Sequence, residues 1–211
     1  MFKKLALLLV TASCLATVRA DTITINSSAS ETTNNSGSPT QNISPDELWA
    51  PALAGSSWVS FANTGNTSVP GFVVVPNGTA VTFSDAFDLS GPVTAASLTV
   101  LADDTASVVV NGATIFSANL SGPFPACSAT PIGCQTVTEG VFDLSELQPY
   151  LDIGSNTISF TVYQEGLVSY GLDYSGSFTV PEPGTLALLG CGLVALAFVR
   201  RHKIFTSLLS E

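Results

Sequence analysis

The sequence predicts an all-β fold: a single β-sandwich between two apolar terminal segments. Helical periodicity is nearly absent between residues 21 and 179, and short β-branched runs recur there instead. Turn signals such as Asn77-Gly78 and Asn111-Gly112 separate those runs at sandwich spacing. The stretch is also long enough to bury a two-layer core.

The runs are, in order, Thr22–Ile25, Phe72–Val75, Ala80–Phe83, Ser97–Leu101, Ser107–Val110, Thr114–Phe116, Thr157–Tyr163 and Gly176–Val180. Thr157–Tyr163 alternates cleanly, with Ile158, Phe160 and Val162 on one face and Thr157, Ser159, Thr161 and Tyr163 on the other. Ser57–Phe61 reads as a further strand, because Trp58 alternates with Ser60. Ser27–Ser44 is rich in Ser, Thr and Asn without an aromatic residue, so residues 27–44 are expected as a flexible loop or stalk. Asp143–Leu147 is the one helical turn, capped by Asp143 or Ser145 and ended by Pro149.

Charge divides the chain sharply. Lys3, Lys4 and Arg19 precede residue 20, and Arg200, Arg201, His202 and Lys203 follow residue 199. No basic side chain lies between, whereas 15 of the 16 acidic residues do. Basic residues therefore flank two apolar segments, where charge directs membrane insertion. Met1–Ala20 has a positive start, an apolar run opening at Leu5–Val10 and Val18-Arg19-Ala20 before a cut, which reads as a signal peptide cleaved after Ala20 by the Sec export route. Cys14 raises lipoprotein processing as an alternative, although Thr11-Ala12-Ser13 is a poor lead-in.

At the other end Val180-Pro181-Glu182-Pro183-Gly184 leads into an apolar run, Thr185–Val199, and then the basic cluster. Fifteen helical residues reach about 22 Å at 1.5 Å each. A bilayer core is about 30 Å, so this is a short single membrane helix with Arg200, Arg201 and Lys203 on its cytoplasmic side and 204–211 as a cytoplasmic tail. The segment 180–203 resembles the PEP-CTERM sorting signal of Gram-negative bacteria, which joins a Pro-Glu-Pro motif, a short membrane helix and an arginine-rich end. The resemblance implies that a membrane-embedded exosortase recognises Pro181, Glu182 and Pro183 and cuts near them. It implies an inner-membrane-anchored precursor, then delivery to the cell surface or extracellular polysaccharide matrix. Ile204–Glu211 departs from the pattern, which usually stops soon after its arginines.

The middle resembles a second family. Ala102-Asp103-Asp104 ends one strand, Val108–Gly112 carries the next into an Asn-Gly turn, Phe142-Asp143-Leu144 leads to Leu151, and Gly154–Ile158 opens a late strand. Over residues 57–179 this is similar to the galactose-binding-like jelly roll, an accessory domain of secreted glycosidases and surface proteins. The resemblance implies a single jelly-roll β-sandwich and a candidate structural calcium, held by Asp103, Asp104 and nearby backbone carbonyls; no other cofactor is expected. No EF-hand spacing is present.

Composition excludes more than it assigns. Without His, Lys or Arg, residues 21–179 hold no Ser-His-Asp or Cys-His machinery, Schiff-base lysine or phosphate clamp. Fourteen carboxylates and no cation exclude nucleic acid as a partner. Carboxylate-only glycoside hydrolysis stays open, with Asp103 and Asp104 or Asp85 and Asp88 as nominal pairs. The alternative reading is solvated acids that keep the chain soluble. Cys127 and Cys134 frame a loop stiffened by Pro125 and Pro131 and are expected as a disulfide worth about 2 kcal/mol. A metal site there is the alternative, with no histidine to complete it.

Trp49, Trp58, Tyr163, Tyr170 and Tyr174 are the rings able to stack on sugars. Trp49, after Pro45-Asp46-Glu47-Leu48, is the candidate for display, with plugging an end of the sandwich as the alternative. Six Asn-X-Ser/Thr sequons begin at Asn26, Asn34, Asn42, Asn66, Asn77 and Asn119, the number expected to be inflated by composition. The expected protein is an exported, exosortase-sorted, non-catalytic surface or matrix protein, structural or adhesive, with extracellular polysaccharide as candidate ligand. The alternatives are a carboxylate-dependent glycan-active enzyme and a matrix filler without a ligand.

Overall fold

Alternating burial along the β-branched runs defines two faces, and pairing those faces gives two sheets. The computed structural model describes residues 20–118, 120, 131–166, 168–181 and 192. Residues 1–19, the 182–203 part of the sorting segment apart from Gly192, the 204–211 tail and Cys127 lie outside the described residues. Among the described residues no helix is long and apolar enough to cross a membrane.

The strands are β1 (Ala20–Asn26), β2 (Thr33–Asn34), β3 (Gln41–Asn42), β4 (Val59–Ser60), β5 (Ala80–Leu89), β6 (Ala95–Asp103), β7 (Thr105–Val110), β8 (Ala113–Phe116), β9 (Gly140–Asp143), β10 (Gly154–Tyr163) and β11 (Gly171–Pro181), with one short helix, α1 (Leu144–Leu147). One sheet runs β3-β4-β11-β6-β9, with β1 also on β11; the other runs β2-β5-β10-β7-β8. Thr22 meets Thr179 and Asn26 meets Ser175 through their side chains, so β1 runs antiparallel to β11. Thr22–Val180 is one compact unit.

β10 is the central strand of its sheet, paired with β5 from Gly154↔Leu89 to Tyr163↔Ala80 and with β7 from Ile158↔Val110 to Tyr163↔Thr105. Its inward residues Ile158, Phe160 and Val162 are buried, as the alternation requires. They meet Leu98, Val100 and Ala102 of β6 and Leu172, Tyr174 and Phe178 of β11 in one core. Phe160 stacks on Tyr174 and Phe87 on Phe178, each at 4.5 Å between centroids, and both pairs join the two sheets. Tyr170 bridges them as well: its hydroxyl donates to the Val162 carbonyl at 2.8 Å and accepts from the Val81 N–H at 3.1 Å.

The Asn111-Gly112 turn joins β7 to β8 with both residues at positive φ, 49° and 81°. That is the backbone twist a two-residue hairpin needs, and it is why this dipeptide works there. At Asn77-Gly78 the glycine has φ 79° and the asparagine does not, and the turn leads into β5 rather than closing a hairpin. Asp143 caps α1, accepting from the Ser145 N–H at 2.7 Å, while Glu146 accepts from the Asp143 N–H at 3.0 Å. That reciprocal pair is a capping box.

Two expectations are corrected here. Phe72–Val75 is not a strand: only Val75 forms a bridge, to Val168, and Val74 is 54% exposed. Its lack of alternation leaves no single face to bury. Residues 27–44 are not a free stalk, because β2 pairs with β5 and β3 pairs with β4, attaching the segment to both sheets. Small hydroxyl and amide side chains made it read as loop, yet the same groups satisfy the sheet edges. Thr32 meets the Tyr174 hydroxyl at 2.9 Å, and Asn42 accepts from the Ala29 N–H at 2.8 Å.

Candidate functional site

Alternation on β6 sends Leu98, Val100 and Ala102 into the core and leaves Leu101 and Asp103 on the outer side of the six-stranded sheet. Both outer residues are nonetheless buried, so something must cover them. The cover is a second apolar cluster of Ile43, Trp49, Ala50, Trp58, Leu101 and Cys134. The Asp46 turn sets Trp49 in place: the Asp46 carbonyl accepts from the Trp49 N–H at 3.1 Å, and its carboxylate accepts from the Leu48 N–H at 3.1 Å. Trp49 and Trp58 lie 4.4 Å apart between centroids, and the Trp58 indole N–H donates to the Ala50 carbonyl at 3.0 Å. Gly171, opposite Asp103 in the register, makes room: a Cβ there would stand 2.9 Å from the Trp49 ring.

Trp49 is therefore not a displayed glycan-stacking ring. It is 7% exposed and acts as a lid over Leu101 and Asp103, which is the plugging alternative. Trp58, Tyr170 and Tyr174 are buried too, and Tyr163 is the one half-buried ring of the five.

Asp103 and Asp104 stand where the chain leaves β6 for β7, passing from one sheet to the other. They are 3% and 2% exposed. The Trp49 indole N–H donates to Asp103 Oδ2 at 2.8 Å, and the Glu165 and Gly166 N–H groups donate to Asp104 Oδ2 at 2.6 and 2.8 Å. Asp103 Oδ1 is buried without a hydrogen-bond partner. Burial pushes the Asp103 carboxyl well above the usual carboxylate range, and Asp104 pushes it further by its charge and by bonding the protonated form. A proton on Asp103 thus gives the orphaned oxygen a partner.

These residues do not fit a calcium ion. Calcium takes six to eight oxygens, whereas three N–H donors already converge on this pair. Among the described residues no group of three or more acidic, histidine or cysteine side chains is arranged to hold a metal ion.

Asp173, which the sequence did not single out, is fully buried on the same outer side of β11. It accepts from the Ser27 hydroxyl at 2.7 Å, the Ser56 hydroxyl at 2.5 Å and the Leu53 N–H at 2.8 Å, so it ties the cover segment to the sheet. Cys134 is buried and disulfide-bonded, and its carbonyl accepts from the Ala50 N–H at 2.7 Å, joining that loop to the same cover. Cys127, its expected partner, lies outside the described residues.

Asp85 and Asp88 do not form an acid pair. On β5 Asp85 points inward and Asp88 outward, to opposite faces. Asp85 accepts from the Tyr174 hydroxyl at 3.1 Å and the Ala86 N–H at 2.7 Å, linking the two sheets. Burial raises its carboxyl above the ordinary range, and the Glu31 charge adds to the shift. A shallow pocket of about 380 Å3 is lined by Glu31, Thr33, Ser84, Asp85, Ala86 and Thr157, of which Ser84, Ala86 and Thr157 belong to the outer side of the five-stranded sheet while the Asp85 carboxylate turns inward to Tyr174.

Three solved structures give the measure of similarity. The alpha-L-rhamnosidase of Streptomyces avermitilis, solved with L-rhamnose, is 19% identical with a TM-score of 0.40, over 64% of this chain and 12% of the enzyme. A family 35 carbohydrate binding module from Clostridium thermocellum is 13% identical with a TM-score of 0.38, over 75% of this chain and 99% of the module. An exo-beta-1,3-galactanase of Phanerochaete chrysosporium is 14% identical with a TM-score of 0.34, over 74% of this chain and 29% of the enzyme. This chain thus spans nearly the whole of the binding module and a small part of each enzyme. No curated protein matches it by sequence. A family model does match at the C-terminal end, over residues 179–201. C-terminal to its two-sheet all-β sandwich, the chain carries the PEP-CTERM protein-sorting motif.

Proposed function

We propose that this protein is exported, processed by an exosortase at its C-terminal motif, and retained at the cell surface or in the extracellular matrix. There its jelly-roll-type sandwich acts without catalysis, as a structural or adhesive element in contact with polysaccharide. The observation that carries this reading is the sorting motif at residues 179–201, which follows an acidic domain. The non-catalytic part is supported by the use made of the acids. Asp103, Asp104 and Asp173 hold the fold together under cover, and Asp85 links the sheets.

Replacing Pro181, Glu182 and Pro183 together by alanine tests the sorting step in a Gram-negative host that carries an exosortase. Wild-type protein is expected in the surface and matrix fractions, and the variant in the inner membrane with its C-terminal segment retained. An identical distribution of the two would remove the motif from the explanation.

A further inference from the structure

The outer side of the five-stranded sheet is a hydroxyl surface. Alternation on β5 and β10 sends Thr82, Ser84, Thr157, Ser159 and Thr161 to it. The register sets Thr82 opposite Thr161 and Ser84 opposite Ser159, and each hydroxyl pair is 2.8 Å apart. Each pair uses one O–H internally, leaving one O–H and spare lone pairs for another molecule. Tyr163 stands at one end of these rows, half-buried. At the other end lies the shallow pocket lined by Glu31 and Thr157, where the exposed Glu31 supplies the carboxylate open to solvent.

Charge decides what this surface accepts. No cationic side chain exists from residue 20 to residue 199, so an anionic polymer meets repulsion and finds no counter-ion. A neutral glycan exchanges water hydrogen bonds for hydroxyl ones at small net gain. Ammonium groups gain charge-assisted bonds to carboxylates, which are roughly twice as strong. We infer that this sheet face docks a polysaccharide bearing free amino groups, with ammonium groups at the Glu31 pocket and sugar hydroxyls along the Ser/Thr rows. This rests on the polysaccharide contact proposed above and adds to it the face and the class of glycan.

The test uses the full chain in detergent, immobilised, against chitosan oligomers, their fully N-acetylated counterparts, neutral dextran and polygalacturonate. Saturable chitosan binding is expected, weakened by salt, with the acetylated oligomers at least about tenfold weaker and polygalacturonate not bound. Thr157→Arg and the isosteric Glu31→Gln should each weaken chitosan binding about tenfold. Val137→Arg adds the same charge at a site 84% exposed and outside the pocket, and should change it by less than about twofold. Equal losses in Val137→Arg and Thr157→Arg would reduce the effect to diffuse charge and overturn the inference. Chitosan binding untouched by Thr157→Arg and Glu31→Gln would place the contact on another face, leaving the polysaccharide reading standing. Equal affinity for dextran would overturn the amino-group preference. No binding to any of the four would sink the polysaccharide reading itself.

Discussion

Trp49→Ala is expected to lower the stability of the sandwich by about 3–5 kcal/mol, the usual cost of deleting a large buried ring. The ring is 7% exposed, packs on Trp58 at 4.4 Å, and covers Leu101, Asp103 and Gly171. Its removal opens a cavity beside Trp58 and takes away the Trp49 indole N–H that donates to Asp103 Oδ2. The second loss matters because a buried acceptor left unsatisfied costs a further 1–3 kcal/mol or so. Urea denaturation of the exported protein reads the effect as a lower midpoint. A loss below about 1 kcal/mol would mean that the ring is displayed after all. A drop in glycan binding by this variant would report lost folding, not a lost stacking platform.

Asp103→Asn should stabilise the protein at neutral pH and change little in acid. The sign follows from the direction of the shift. Burial and Asp104 hold the folded carboxyl well above its unfolded value, so the folded state binds a proton that the unfolded state has released. Stability is therefore full below the unfolded pKa and falls as pH rises from about 4 toward the folded pKa. Asp85 adds a fall of the same sign, since burial raises it too. Asp143 works the other way, because the Ser145 hydroxyl holds its carboxyl below the usual range, but it is exposed. The asparagine amide imitates the protonated acid: its oxygen keeps the Trp49 bond and its NH2 faces Asp104. The gain expected at pH 7 is about 1–3 kcal/mol, the cost of one buried unsatisfied group. Thermal melts of both proteins between pH 4 and pH 8 should diverge as pH rises. Parallel curves would show that Asp103 is not the buried acid that titrates.

The strands that the sequence revealed are those whose residues alternate between a dry and a wet face. β10 is the best case, with Ile158, Phe160 and Val162 inside and Thr157, Ser159 and Thr161 outside. The β7–β8 hairpin was legible because Asn-Gly suits two consecutive positive φ angles. β2, β3 and β9 were not legible: two are only two residues long, and all take their stability from partner strands rather than from their own pattern. The choice between display and plugging at Trp49 is not legible in the sequence for a related reason. A loop-like neighbourhood suggests exposure, but burial here is decided by Leu101 and Asp103 on the far strand β6, more than fifty positions away. Asp173 carried no signal at all, since its three donors come from residues 27, 53 and 56. The hydroxyl face was half visible, as one side of β10, and needed the register with β5 to become a surface.

The most direct test of the proposed export and sorting is the intact mass of the protein recovered from the extracellular matrix of a host that carries an exosortase. The expected mass corresponds to a chain beginning at Asp21 and ending close to Pro181-Glu182-Pro183, with both basic-flanked apolar segments removed. A matrix protein whose mass still includes Arg200, Arg201 and Lys203 would contradict exosortase processing, and with it the route by which this acidic sandwich reaches the surface.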